Sequence, residues 1–333
     1  MRRFAWVLVL VLVLALAACG EKEDVLEPSG SKGLELMLDY FPNADHAGIY
    51  AAQAAGHFKQ AGLDVTIRQP PDPAAPIKQV AAGRVDLAIS YEPEVLRARD
   101  QGLNVVSVGA LVQKPLTAII SLPEGKVRKP ADLKGKTVGT AGIDYQSAYL
   151  QTILAEAGVP ESSVKERNVG FAFSPALITG KIDAALGAFW NYEGTELRLR
   201  GKRPRIIRME EAGVPTYNEL VLVANQDALE RDAAKIRAFI GAVSRGTRDL
   251  EADPNDAIDG LLEANPDLDP ELQRAVVKVT LPLFLPPGDK PFGWQSPAEW
   301  DGFSAWMEDN RLLENPADPR AAYDNGLLPG SGL

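Results

Sequence analysis

From Leu34 onward the chain alternates short apolar runs with longer stretches that are apolar on one side only. Leu34 to Leu38 (LELML) reads as a strand, and Ala47 to Gln60 as an alanine-rich helix stopped by Gly62. Leu63 to Ile67 is a second strand, and Ile77 to Ala82 a short helix ended by Gly83. Val85 to Ser90 (VDLAIS) is almost continuously apolar, as expected of a strand covered on both faces. Val105 to Val112 and Thr117 to Leu122 are further strands. This alternation predicts βαβ units and a largely parallel sheet.

A second series follows. Lys136 to Thr140 reads as a strand running into a glycine-bearing loop, Ser147 to Ala157 as a helix, and Ile182 to Ala188 as a buried strand. The pattern around Gly83, namely helix end, Gly, basic residue, β-branched residue, Asp and apolar strand, returns around Gly180, 97 residues later. The echo predicts two similar lobes in tandem, although a short αβ turn of this kind also recurs by coincidence. Leu220 to Ala224 (LVLVA) reads as a strand returning toward the first lobe. The C-terminal third is mostly helical, with Ile236, Phe239, Ile240 and Val243 forming a core-facing stripe and Trp294, Trp300 and Trp306 read as packing. The expected organisation is a discontinuous first lobe (34–120 plus 221–333) and a second lobe (121–220).

The N-terminus has a different pattern. Arg2 and Arg3 precede a wholly apolar run of 14 residues, Ala5 to Ala18, too short to span a bilayer as a permanent helix. It ends in Leu16-Ala17-Ala18-Cys19, the order of an export signal with small residues before its cleavage point. Cys19 at the cleavage point resembles the lipobox of bacterial lipoproteins, which implies a lipoprotein signal peptide over residues 1–18 and lipidation of Cys19; 19–33 reads as a flexible tether. Cys19 is the only cysteine, so no intramolecular disulfide is possible. Net charge is −10, and losing Arg2 and Arg3 with the signal takes the side-chain sum to −12. That acidity argues against nucleic acid as a partner. With only His46 and His57 besides Cys19, a zinc site is not expected.

In open α/β sheets ligands bind beyond the carboxyl ends of the strands. Four segments there, or just before the returning strand, set an aromatic beside a carboxylate or amide: Asp39 to Asn43 with His46 nearby, Tyr91-Glu92-Pro93, Phe189 to Glu193, and Pro215 to Glu219. Aromatics clamp flat ligands and carboxylates accept from N–H donors, so the pattern favours a neutral or cationic, donor-rich ring. An anion such as sulfonate or nitrate would need Arg, Lys or bare helix N-termini. The competing reading is core packing for the aromatics and capping or a core hydrogen bond for His46.

The segment D-Y-F-P-N-x-x-H-x-G-I-Y-A-A-Q-x-x-G-x-F-K-Q-x-G-L-D-V within Leu36 to Val65 resembles the thiamine-pyrimidine-precursor family of periplasmic-binding-protein-like domains. Gly83 to Ala88 with Tyr91-Glu92-Pro93, and Gly213-Val214-Pro215-x-Tyr217-x-Glu219-Leu220, fit the same family, over roughly residues 34 to 250. The resemblance implies an α/β, type II periplasmic-binding-protein-like fold: two hinged lobes closing on an aminopyrimidine, with no cofactor. Its implied partners are an ABC transporter permease and, through the lipid, a membrane. Carried over by position, Tyr40, Asn43, His46, Tyr91, Trp190, Tyr192, Tyr217 and Glu219 are the implied contacts, with Glu92 and Glu193 as further candidates. The same family includes eukaryotic pyrimidine synthases, which carry a cysteine-rich motif near Gly213 to Leu220 and need iron; this chain has no cysteine there. A third reading keeps the fold and changes the ligand to a sulfonate, nitrate or other small solute.

Overall fold

A computed structural model describes residues 32–315 and 318–330, apart from the side chain of Glu230. The expected signal peptide, Cys19 and the expected tether as far as residue 31 lie outside the described residues.

The elements run β1 (Lys32–Met37), α1 (Ala47–Ala54), α2 (His57–Gln60), β2 (Leu63–Arg68), α3 (Ala75–Ala81), β3 (Leu87–Ser90), α4 (Glu92–Asp100), β4 (Val105–Val112), β5 (Thr117–Ser121) and β6 (Thr137–Thr140). They continue with α5 (Asp144–Glu156), β7 (Lys165–Asn168), α6 (Phe173–Ile178), β8 (Ala184–Phe189), α7 (Glu193–Leu199), β9 (Arg205–Arg208) and β10 (Leu220–Asn225). Four helices close the chain: α8 (Gln226–Ala252), α9 (Pro254–Ala264), α10 (Pro270–Thr280) and α11 (Pro297–Asp309). Two five-stranded sheets result, ordered β2-β1-β3-β10-β4 and β7-β6-β8-β5-β9. In each, three parallel strands are followed by one that runs against them: β10 against β3, and β5 against β8. The chain passes between the sheets twice, after β4 and after β9, so the fold is α/β with two lobes.

The glycine echo has a structural basis. Gly83 and Gly180 both take left-handed φ, 63° and 68°, ending α3 and α6. Three residues later the aspartate clasps the first strand of its own sheet. Asp86 Oδ2 accepts from Glu35 N–H at 2.7 Å, and Asp183 Oδ2 from Thr137 N–H at 2.8 Å. The helix phase of the C-terminal third is also legible, because Ile236, Phe239, Ile240 and Val243 are all buried. Its Asp-Pro step at 253–254 is a start signal: Asp253 accepts from Asn255 and Asp256 N–H, with Pro254 at the first helical position.

Four expectations need correction. The lobe boundary expected at 120–121 falls inside the second sheet, because β5 pairs with β8 and β9, so the chain crosses before Thr117. β1 begins at Lys32, because Lys32 N–H already pairs with Gly62 C=O at 2.9 Å, so Lys32 and Gly33 are strand and not tether. The helix expected over Ala47 to Gln60 breaks at Gly56, whose φ of 73° separates α1 from α2. Strands β7 and β9 escaped the pattern because both are edge strands rich in charge, KERN and RIIR, and β7 is exposed throughout.

Candidate functional site

A cavity lies between the lobes, where the carboxyl ends of the parallel strands face one another. Asp39 and Tyr40 follow β1, Tyr91 follows β3, Ala141 follows β6, and Phe189 closes β8 just before Tyr192 and Glu193. Asn43 and Asp45 complete the first-lobe wall with Pro73; Ile143, Gln146, Phe173 and Gly187 complete the second. Gly187 is required by close approach. Its φ is 110°, and a Cβ there would sit 2.4 Å from the Gln146 amide, whose Oε1 holds the Ala141 N–H at 2.7 Å.

Asp39 is the best-supported acceptor in the cavity. Its Oδ1 lies 2.8 Å from His46 Nε2, and its Oδ2 accepts from Tyr91 Oη at 2.9 Å. Asn43 N–H points at His46 Nδ1 (3.3 Å), which makes Nδ1 the acceptor and leaves Nε2 to carry the proton donated to Asp39. His46 is therefore buried behind the cavity as a prop. Glu193 Oε2 accepts from Phe189 N–H at 2.7 Å, and Tyr40 Oη lies 3.4 Å from its Oε1. Burial pushes the Glu193 carboxyl up to about 8, opposed by that backbone N–H. Burial likewise lifts Asp45 to about 7, with His46 opposing and Asp39 adding to the rise.

The walls are aromatic. Tyr40, Tyr91, Phe173, Phe189 and Tyr192 all line the cavity. Tyr91 meets Phe189 edge-on at 6.4 Å and Tyr145 at 5.7 Å. Tyr40 reaches across to the second lobe, donating to Phe171 C=O at 2.7 Å. Three carboxylates line this space and no arginine or lysine does. Such a lining offers acceptors and apolar faces to flat rings bearing N–H donors. Among the described residues no group of three or more His, Cys, Asp or Glu is placed to hold a metal ion.

Of the sequence candidates, Tyr40, Asn43, Tyr91, Tyr192 and Glu193 come together in this cavity, with His46 one bond behind. The other four do not line it. Trp190 donates from Nε1 to Pro115 C=O at 3.0 Å and is covered by the Arg208 guanidinium at 4.0 Å. Glu92 takes both the N–H and Nδ2 of Asn218, at 2.7 and 2.6 Å. Glu219 takes Leu116 N–H, Thr117 N–H and Thr117 Oγ1, at 2.6, 2.7 and 2.9 Å. Tyr217 is buried against Phe303 and donates to Glu219 at 3.2 Å. These four stabilise the two passages between lobes. Asp45, Gln146 and Phe173 escaped the sequence reading. The signal for Asp45 was its place beside His46, whereas Gln146 and Phe173 sit on helix starts that only the lobe packing brings inward.

The chain is 33% identical to a formylaminopyrimidine-binding protein of Halalkalibacterium halodurans, covering 98% of this chain and 99% of that one. It is 38% identical to a putative thiamine biosynthesis protein of Haemophilus influenzae, over 75% of this chain and 79% of the relative. Among solved structures, the alkanesulfonate-binding protein SsuA of Xanthomonas axonopodis pv. citri, bound to MOPS, superposes with a TM-score of 0.68 at 20% identity, covering 88% and 98%. That likeness establishes the periplasmic-binding-protein fold. Residues 43–257 match the NMT1/THI5-like family, and the chain belongs to it.

Proposed function

We propose that the chain is the extracytoplasmic substrate-binding protein of an ABC importer, capturing an aminopyrimidine precursor of thiamine. The observation that carries this reading is the lining of the cavity: Asp39, Asp45 and Glu193 among five aromatic rings, without a cation. Asp39 offers a fixed acceptor to an exocyclic amine, and Tyr91 and Tyr192 offer faces to a ring. A carboxyl group with its proton retained, as burial favours at Glu193, complements an aminopyrimidine edge because it donates to a ring nitrogen while accepting from the amine. Export and acylation at Cys19 would tether the protein at the membrane face where a permease receives the ligand. The likeness along the whole chain to a formylaminopyrimidine-binding protein supports the same assignment.

Calorimetry with a formylaminopyrimidine, an alkanesulfonate and nitrate tests it. We expect saturable heat from the pyrimidine and none from the anions. Binding of the sulfonate with no response to any aminopyrimidine would overturn the ligand assignment and leave the two-lobed receptor.

A further inference from the structure

We propose that Asn191, which does not line the cavity, is the latch that holds the two lobes closed over it. Asn191 sits in the second lobe, on the turn between β8 and α7, and is fully buried. Its side chain crosses to the first lobe. Nδ2 donates one hydrogen to Asp45 Oδ1 and the other to Thr280 Oγ1, both at 2.7 Å. Thr280 ends α10, the helix that packs against α7 across the gap, and its own hydroxyl is aligned by Val276 C=O at 2.9 Å. Asp45 belongs to both structures, since it lines the cavity and accepts the latch. Ligand occupancy and lobe closure therefore meet on one carboxylate.

The latch is balanced for release. Asn191 Oδ1 is buried without a partner, so closing strips water from an acceptor and returns only the two Nδ2 bonds. Net gains from such exchanges are small, which lets ligand contacts tip the equilibrium. Asp39, His46 and Glu193 also face Asp45, and all remain in the variants below.

The inference rests on the proposed ligand for one arm of its test and is independent of it in the other. In the ligand-free arm, small-angle scattering compares the full chain with Asn191→Ala, Thr280→Val and Asn191→Asp. The first two should shift toward the open form. Asn191→Asp sets a second carboxylate against Asp45, so it should be open at about pH 8.5 and close at about pH 5.5, where the pair shares a proton. In the ligand arm, stopped-flow release of a formylaminopyrimidine should be about tenfold faster in Asn191→Ala and Thr280→Val, with association little changed. Thr280→Val keeps Asn191 and Asp45 intact, so it decides the matter should Asn191→Ala fold poorly. Unchanged scattering and unchanged release overturn the latch. A wild type that binds no pyrimidine overturns the ligand assignment, and scattering then judges the latch alone.

Discussion

Two carboxylates that look alike in the sequence have opposite fates in the fold. Asp39 and Glu219 each stand beside a tyrosine at a strand end, yet Asp39 faces the cavity while Glu219 is consumed by the backbone of Leu116 and Thr117. The difference is not local, because Glu219 meets partners about a hundred residues away, which no periodicity records. Of the residues singled out for following a parallel strand, Tyr40, Tyr91, Tyr192 and Glu193 line the cavity, whereas Glu92 and Trp190 do not. Glu193 makes a titration prediction. Its folded value of about 8, above the ordinary 4.5, means the empty cavity keeps that proton at neutral pH. If the protonated carboxyl pairs with a neutral aminopyrimidine, Glu193 itself adds no pH dependence below about pH 8. Above it, affinity falls roughly tenfold per unit, because the ionised site must take up a proton on binding. Calorimetry across that range should show the fall in wild type and its loss in Glu193→Gln. A wild-type profile that rises above pH 8 would mean that the ionised carboxylate is the binding form.

At the scale of elements, strands with apolar runs were legible and the charged edge strands β7 and β9 were not. Burial on both faces writes itself into β3, β4, β8 and β10, whereas β7 and β9 are held by backbone pairing at sheet edges, which constrains side chains little. The passages between the sheets are held by contacts that no local pattern records. Glu92 grips Asn218 on the returning passage, and Glu219 on that same passage grips Leu116 and Thr117 on the outgoing one. Both carboxylates are fully buried, and burial pushes them up to about 8 and about 7. Because folded values lie above the ordinary 4.5, the stability they contribute is full below about pH 4.5. It is lost as pH rises through about 7 for Glu219 and about 8 for Glu92. Melting curves of Glu219→Gln should therefore decline less than wild type between those limits. Glu219→Ala should cost about 2–5 kcal/mol, since it leaves two buried N–H groups unpaired. An unchanged pH profile in Glu219→Gln together with lost ligand binding would return Glu219 to the cavity wall.

Over the whole molecule, the repeated Gly-basic-branched-Asp motif marks one construction used twice. In each sheet the aspartate sits at the start of the third parallel strand and bonds back to the first, fixing the register of both. The two clasps differ in one respect: Asp86 also pairs with Lys235 of α8 at 2.6 Å, whereas Asp183 has the backbone contact from Thr137. Removing either carboxylate leaves a strand N–H unpaired, at a cost of about 1–3 kcal/mol, and Asp86→Ala should cost the more of the two because Lys235 also loses its shorter ion pair and keeps only Asp232 at 3.5 Å. The sheets share no strand. Each loss should therefore be confined to its own lobe, as expected of cooperative units that open separately. Hydrogen exchange should show Asp183→Ala loosening peptides over 137–140 and 184–189 while those over 34–37 and 87–90 keep their protection, and Asp86→Ala the reverse. Equal loosening of both sheets by either substitution would show that the lobes open as one cooperative unit, and that the repetition is one of shape without independence.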